Sequence, residues 1–359
     1  MLAQDGLEAP RQALPCSGAK VAAAGRVEAQ RRARATMLTA GLGIWAAITI
    51  AVAGPVTSPE YLPVHVAQAE GYFAQEKLDI TLKVERSEGD AARALARGRA
   101  DLTATSIDTA YGQGHVGGEP PLLLFGLTAA PPVAIVVSPS HRASIRSLAD
   151  LRGQPVGLPG AGTPEHAMLT SVLSHAGIRI QQVPVHSYGL LRLAGALEQG
   201  QVAAAVLGDP WVTRLAGEGG GVLADLRTRA GARRWLGAET VHAAVFVRPD
   251  SKLSERELTA VARALLRAVA RLSEGSPEAL AAALPGSVKG SPEDFATRLQ
   301  GARGSWLPRG RVTEEMLKVS VEQARERAPL PETVKLPLLR WYPLILAEPL
   351  RKAQEPSRR

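Results

Sequence analysis

One cysteine, Cys16, stands in 359 residues, so no intramolecular disulfide and no thiolate cluster for zinc or iron–sulfur can form. Cys16 also precedes the apolar run near the N-terminus, where a lipid-anchoring cysteine would have to follow it. Aromatic side chains make up only 4% of the chain. The basic excess, a formal charge of +8, is mostly dispersed arginine. Only Arg26, Arg31, Arg32 and Arg34 in the head, and Arg351, Lys352, Arg358 and Arg359 in the tail, cluster. A nucleic-acid surface gathers its cations on one face and interleaves aromatics, so no such partner is expected. Catalytic signatures are missing too: no Gly-x-Ser-x-Gly elbow, phosphate-binding Gly-Lys-Ser/Thr loop or His-Glu-x-x-His appears. The seven histidines (His65, His115, His141, His166, His175, His186 and His242) show no ligand spacing. Neither a metal nor a cofactor is expected. A mean hydropathy near zero excludes a polytopic membrane protein, and the length suits two domains or one of two lobes.

What is present begins with a head. Residues 1–36 are rich in Ala, Arg, Gln and Gly without a sustained period, and are expected not to pack. Four arginines then precede Met37–Val56, a run without a charge. That order is the signature of an export signal, and the run is also just long enough for a membrane span. A third reading makes Ile48–Gly54 a buried strand, because it is β-branched and ends in glycine. A small-x-small cleavage site at Ala51-Val-Ala53 would then remove that strand.

From residue 48 to about 250, apolar runs alternate with helical stretches. Expected strands are Ile48–Gly54, Asp79–Val84, Asp101–Thr105, Leu122–Leu127, Val133–Val137, Pro155–Leu158, Val183–His186, Val202–Leu207 and Ala243–Val247. Helices are expected over Leu62–Glu76, Gly89–Arg97, Thr163–Ala176, Leu190–Gln199 and Asp209–Leu215. This alternation predicts βαβ units and mainly parallel sheets. Past Ser254 the pattern is helical only, over Ser254–Glu274, Ser276–Ala283, Ser291–Leu299 and Thr313–Arg327. Thr163-Pro-Glu, Ser276-Pro-Glu and Ser291-Pro-Glu each place a hydroxyl at the N-cap, proline in the first turn and a carboxylate beside the orphan N–H groups. Ala94-Leu-Ala-Arg-Gly98 echoes Ala196-Leu-Glu-Gln-Gly200, as two lobes built on one helix–strand unit would. Gly217-Glu-Gly-Gly-Gly-Val fails dinucleotide spacing and reads as a flexible turn.

Ligands of parallel α/β sheets sit beyond the carboxyl ends of strands, where loops meet helix N-termini. Three junctions qualify: Gly54–Tyr61, Thr105-Ser106, and Pro159-Gly-Ala-Gly-Thr163 running into a capped helix. The last can equally be an ordinary Gly-rich turn. Hydroxyls, glycine N–H groups and a helix N-terminus without a matched acid/base pair suit reversible capture of a small polar or anionic solute.

Tyr61-Leu-Pro-Val-His-Val-Ala-Gln-Ala-Glu-Gly71-Tyr-Phe-Ala-Gln-Glu-Lys-Leu-Asp-Ile resembles the opening signature of the extracytoplasmic solute-binding proteins of ABC importers. The branch is the nitrate/sulfonate/taurine and thiamine-precursor-like one. Lys77 stands where that signature usually has glycine. Ala94-Leu-x-x-Gly98-x-Ala-Asp101, Ile145-x-Ser-Leu-Ala-Asp-Leu-Arg-Gly153-x-Pro-Val-Gly157 and Gly208-Asp-Pro-Trp211 match further motifs in order. The resemblance implies an α/β, two-lobed, periplasmic-binding-protein-like fold of type II, with mainly parallel sheets, two crossing strands and a helical C-terminal part. It places lobe I at 48–134 plus 244–330, lobe II at 135–243, the signal-like head at 1–47 and a C-terminal strap or tail at 331–359. The crossing strands are expected near Val133–Val137 and Ala243–Val247. Carried over, the pocket comprises Ser58, Tyr61, Ser87, Thr105, Ser106, Gly162, Thr163 and Asp209. A sulfonate, nitrate, taurine or similar solute would be captured by hinge closure and delivered to an ABC permease in the cytoplasmic membrane. The protein would be a periplasmic or extracytoplasmic monomer, free or tethered by an uncleaved N-terminal segment, and not an enzyme. The alternative is an enzyme on the same fold in thiamine-precursor or related biosynthesis. Such enzymes carry a cysteine-rich motif that one cysteine cannot supply, and near the cleft the sequence offers only His65 and His166.

Overall fold

The structure is a computed structural model that describes residues 47–161, 163–327, 334–335 and 341–355. The signal-like head and Gly162 lie outside the described residues. The described residues form one compact unit. Among the described residues, no helix is long and apolar enough to cross a membrane.

The chain runs β1 (Ile48–Val52), α1 (Leu62–Ala69), α2 (Tyr72–Gln75), β2 (Ile80–Val84), α3 (Glu88–Ala96), β3 (Leu102–Ser106), α4 (Ile107–Gln113) and β4 (Leu122–Thr128). It continues through β5 (Val133–Val137), β6 (Val156–Leu158), α5 (Pro164–His175), β7 (Val185–Ser187), α6 (Leu190–Glu198), β8 (Ala204–Gly208), α7 (Trp211–Gly217), β9 (Gly221–Asp225) and α8 (Arg229–Leu236). Last come β10 (Ala243–Val247), α9 (Glu255–Glu274), α10 (Pro277–Ala283), α11 (Gly286–Lys289), α12 (Pro292–Ala302), α13 (Glu314–Arg327) and α14 (Ala347–Gln354).

Two five-stranded sheets result, in the orders β2-β1-β3-β10-β4 and β7-β6-β8-β5-β9. The orders are equivalent: β1 to β4 with β10 correspond to β6 to β9 with β5. In each sheet one strand, β10 or β5, runs antiparallel to both its neighbours. The chain therefore passes between sheets twice, between β4 and β5 and between β9 and β10. The crossing segments are the connections themselves, since Val133–Val137 and Ala243–Val247 each lie wholly in one sheet.

The sequence echo falls on matching places in the two lobes. Gly98 and Gly200 follow α3 and α6 with φ of 65° and 67°, a conformation cheap for glycine alone. In both, the glycine N–H bonds back to a leucine carbonyl, Leu95 at 3.0 Å and Leu197 at 3.1 Å, before β3 or β8 begins. These are the same helix stop used twice.

Central strands β3, β5 and β10 are buried along their whole lengths, as doubly covered strands must be. The long helix α9 buries Leu258, Val261, Leu265, Val269 and Leu272, a stripe at helical spacing that packs on α1 and α14. Each such leucine or valine taken out of water contributes about 1.5–3 kcal/mol. Part of the expected strap is described: Leu346 N–H bonds Leu123 O at 2.8 Å, which seats α14 beside the first sheet.

Three local expectations change. The helix over Leu62–Glu76 is broken at Gly71, whose φ of 68° ends α1 and starts α2. The glycine-rich turn at 217–222 leads directly into β9, an edge strand whose pairing to β5 overrides its poor strand propensity. Lys77 keeps the turn that the family's glycine makes by adopting a φ of 62° itself.

Candidate functional site

Polar residues crowd the carboxyl end of the first sheet. Thr103, Thr105 and Ser106 in β3 are fully buried, which is costly unless each hydroxyl finds a partner. Their neighbourhood is organised around two carboxylates that the sequence reading passed over, Glu60 and Glu88.

Glu88 opens α3, where Ser87 caps the helix and the helix dipole favours negative charge. Its carboxylate accepts hydrogen bonds from the Tyr61 hydroxyl (2.6 Å, to Oε1) and the Ser106 hydroxyl (2.6 Å, to Oε2), with Thr109 Oγ1 at 3.3 Å. Thr105 Oγ1 donates to the Glu88 backbone carbonyl at 3.1 Å. Burial pushes the Glu88 carboxyl up to about 7, with the His242 charge opposing that rise and Asp108 and Glu60 adding to it. Tyr61 is raised well above the usual phenol range, first by burial and then by the charge of Glu88.

Glu60 lies in the turn Pro59–Tyr61 after β1 and accepts from Ser58 Oγ at 2.6 Å. Its Oε1 stands 2.9 Å from His242 Nε2. His242 directly precedes β10 and is fixed by its backbone: its N–H bonds Thr128 O at 2.8 Å, and its carbonyl accepts from Ile107 N at 2.7 Å. Burial works to lower this imidazole, but the contact and charge of Glu60, with Glu88 and Asp108, outweigh burial and hold it at about 9. His242 is therefore an imidazolium at neutral pH.

The second lobe contributes Glu165, in the first turn of α5. Burial raises its carboxyl, and Glu60 and His242 both act on it electrostatically, so the two lobes share one charged neighbourhood. Next to it lies a cavity of about 20 Å³, bounded by Ile107, Asp108 and His242 from the first lobe and by Met168 and Leu236 from the second. One water fills such a space, whereas small-molecule sites span about 300–1,000 Å³. Residues of both lobes line this cavity.

Four of the expected pocket residues are brought together: Ser58, Tyr61, Thr105 and Ser106 all surround Glu60 and Glu88, and their hydroxyls bond those residues. The other described ones are elsewhere or otherwise engaged. Ser87 Oγ caps α3, accepting Asp90 N–H at 3.1 Å. Thr163 Oγ1 accepts His166 N–H at 3.4 Å as the α5 cap and donates to Gly160 O at 3.0 Å. Asp209 accepts from Thr213 N (3.0 Å) and from Arg227 Nη1 (2.7 Å). Gly162 lies outside the described residues. Of the two histidines singled out near the cleft, His65 is buried in α1 and lowered to about 4 by that burial, so it is neutral.

His242 and the acids Glu60, Glu88, Asp108 and Glu165 carried faint signals. Glu60 and Glu88 each adjoin a hydroxyl residue that was singled out. His242 had no motif around it, because its partner comes from a distant turn. Among the described residues, none of these four carboxylates pairs with lysine or arginine, and no three such groups converge to hold a metal ion.

The same fold occurs in known structures. The periplasmic aliphatic sulphonate binding protein SsuA from Escherichia coli is similar with a TM-score of 0.64 at 19% identity, over 80% of this chain and 89% of that one. The alkanesulfonate-binding protein SsuA from Xanthomonas axonopodis pv. citri, bound to MOPS, gives 0.59 at 18% identity, over 84% and 98%. A structure from Bordetella bronchiseptica RB50 gives 0.67 at 21% identity, over 86% and 96%. These likenesses establish the two-lobed type II periplasmic-binding fold. By sequence alone, no curated protein matches the chain. A family model described as NMT1/THI5 like matches residues 58–278, more than half of the chain, and the chain belongs to the NMT1/THI5-like family.

Proposed function

We propose that this protein is the extracytoplasmic solute-binding component of an ABC import system, capturing a small polar solute between its lobes and presenting it to a membrane permease. The observation that carries the reading is the single charged neighbourhood formed by Glu60, Glu88, Asp108 and His242 of one lobe with Glu165 of the other. Asp108 and His242 also line the small cavity that Met168 and Leu236 of the second lobe bound.

Their chemistry favours a solute that offers hydrogen-bond donors, or a protonated nitrogen, over the sulfonate, nitrate and similar anions that the family resemblance suggests. One imidazolium faces four carboxyl groups, and the hydroxyls of Ser58, Tyr61, Thr105 and Ser106 already donate to Glu60 and Glu88. At an effective dielectric near 20, an added anion about 5 Å from each carboxylate pays on the order of 3 kcal/mol per charge. A cation gains by the same terms.

The enzyme reading draws on one specific feature, a Glu88 carboxyl near neutrality beside Tyr61. A group titrating near 7 can move protons, but Tyr61, Ser106 and Thr109 all donate to Glu88 and hold it in place.

Thermal-shift screening of the purified chain tests the proposal, using amines, guanidinium compounds and aminopyrimidines beside nitrate, alkanesulfonates and taurine. The expected result is stabilisation by a nitrogen-bearing solute that is recovered unchanged. At a hundredfold excess over Kd it amounts to about 2.7 kcal/mol. Recovery of a chemically altered solute would move the assignment to the enzyme reading.

A further inference from the structure

Asp209 directly follows β8 and is 4% exposed at its side chain, a poor place for a carboxylate unless it is paired. Arg227, from the loop between β9 and α8, pairs with it at 2.7 Å and at the same time holds Asp225 at 2.7 Å. Two carboxylates held on one guanidinium make a tightly bonded head of net charge −1 on the second lobe.

That head meets the first lobe at α12. A Cβ built on Gly301 would lie 1.7 Å from Asp209 Oδ2, so no side chain larger than hydrogen fits while the two lobes touch. A little further on, a Cβ on Gly304 would come within 2.7 Å of Thr228 Cγ2, and Arg229 N–H bonds Gly304 O at 2.8 Å. Seven residues before Gly301, on the same face of α12, Asp294 stands 3.9 Å from Arg214 of α7. The opposite face of α12 is anchored in the first lobe by Phe295, Leu299 and Ala302. Glycine inside a helix costs roughly 0.5–1 kcal/mol relative to alanine. Helix α12 gains nothing from Gly301 in isolation; the approach of Asp209 accounts for it.

We infer that Gly301 is the seat of a closure latch: the Asp209–Arg227 pair docks on it when the lobes shut, and the fit there sets the balance between open and closed forms. Asp209 thereby acts as a positioning residue for closure instead of a ligand contact. The latch is read from the contact between lobes and does not depend on which solute is bound.

The test is small-angle X-ray scattering of the full chain without added solute, paired with thermal unfolding. Gly301→Ala should raise the radius of gyration while leaving the unfolding midpoint unchanged or higher, because alanine suits a helix whose neighbour has moved away. Asp209→Ala removes the clashing carboxylate, and the double variant Asp209→Ala/Gly301→Ala should return the radius to the wild-type value. Identical scattering for Gly301→Ala and wild type would overturn the latch. An increase that Asp209→Ala fails to reverse would overturn it equally. If Gly301→Ala instead unfolds, recovery of both fold and wild-type radius in the double variant supports the latch, and continued unfolding contradicts it. Failure of the solute screen leaves all these outcomes readable.

Discussion

His242 Nε2 lies 2.9 Å from Glu60 Oε1, with both side chains largely buried, and the contact ties the segment entering β10 to the turn leaving β1. The pairing explains why an imidazole buried in the fold stays protonated. Its raised pKa, about 9 against an ordinary 6.5, means that the folded state binds the proton more tightly than the unfolded chain. The resulting stability is fully present below pH 6.5 and is lost as pH rises through about 9. The unfolding midpoint of wild type relative to His242→Gln should therefore be most favourable near pH 6 and fall by pH 9.5. A gap that does not change over that range would show that His242 is not held charged by Glu60.

Lys77 carries a φ of 62° at the turn between α2 and β2. A non-glycine residue there costs about 1–2 kcal/mol. Lys77→Gly removes that strain but adds unfolded-state freedom, for a net gain of about 0.5–1 kcal/mol. Chemical denaturation of the two proteins measures it, and a less stable variant would mean that the Lys77 side chain earns its place through contacts.

Thr163 and Ser276 both cap helices, accepting His166 N–H and Ala279 N–H. Replacing either by alanine should cost about 1 kcal/mol. Solute affinity should be the same in both variants, since the Thr163 hydroxyl is already bonded to Gly160 O and His166 N. A selective loss of affinity in Thr163→Ala would restore that hydroxyl to the binding surface.

Arg227→Ala strands a buried Asp209, and breaking such a pair costs about 3–5 kcal/mol. Asp209→Asn should cost clearly less, because its amide oxygen can still accept from Thr213 and Arg227 keeps its pair with Asp225, although the amide nitrogen cannot accept the Arg227 hydrogen bond. Equal losses in the two variants would show that an unpaired Asp209 carboxylate costs no more than the loss of that one bond.

The scaffold was legible in the sequence because its signals are local. Val133–Val137 and Ala243–Val247 read as strands from their apolar runs, and Thr163, Ser276 and Ser291 read as caps from Ser/Thr-Pro-Glu. Strand β9 was not legible, since it opens on Gly221 straight out of a glycine run, and its pairing to β5 comes from a distant part of the chain. The site was half legible. Ser58, Tyr61, Thr105 and Ser106 lie at strand-end junctions and are singled out by the family resemblance, yet their hydroxyls serve Glu60 and Glu88. What hid the acids is that their importance is electrostatic and tertiary: Glu88 sits near neutrality through burial, and Glu60 matters through His242, distant in sequence. Neither burial nor a partner brought in by the fold leaves a mark at a single position.

The central claim is that the cleft recognises a donor-bearing or cationic solute through carboxylates from both lobes. Isothermal titration calorimetry of wild type and Glu165→Gln tests it most directly, using the best nitrogen-bearing stabiliser from the thermal screen and methanesulfonate as the anion. Wild type should bind the first and give no saturable heat with the second. Glu165→Gln should weaken the first by about 30-fold or more, the scale of losing one partner of a buried charge pair. Tighter binding of methanesulfonate than of any nitrogen-bearing solute, or an affinity unmoved by Glu165→Gln, would contradict the account.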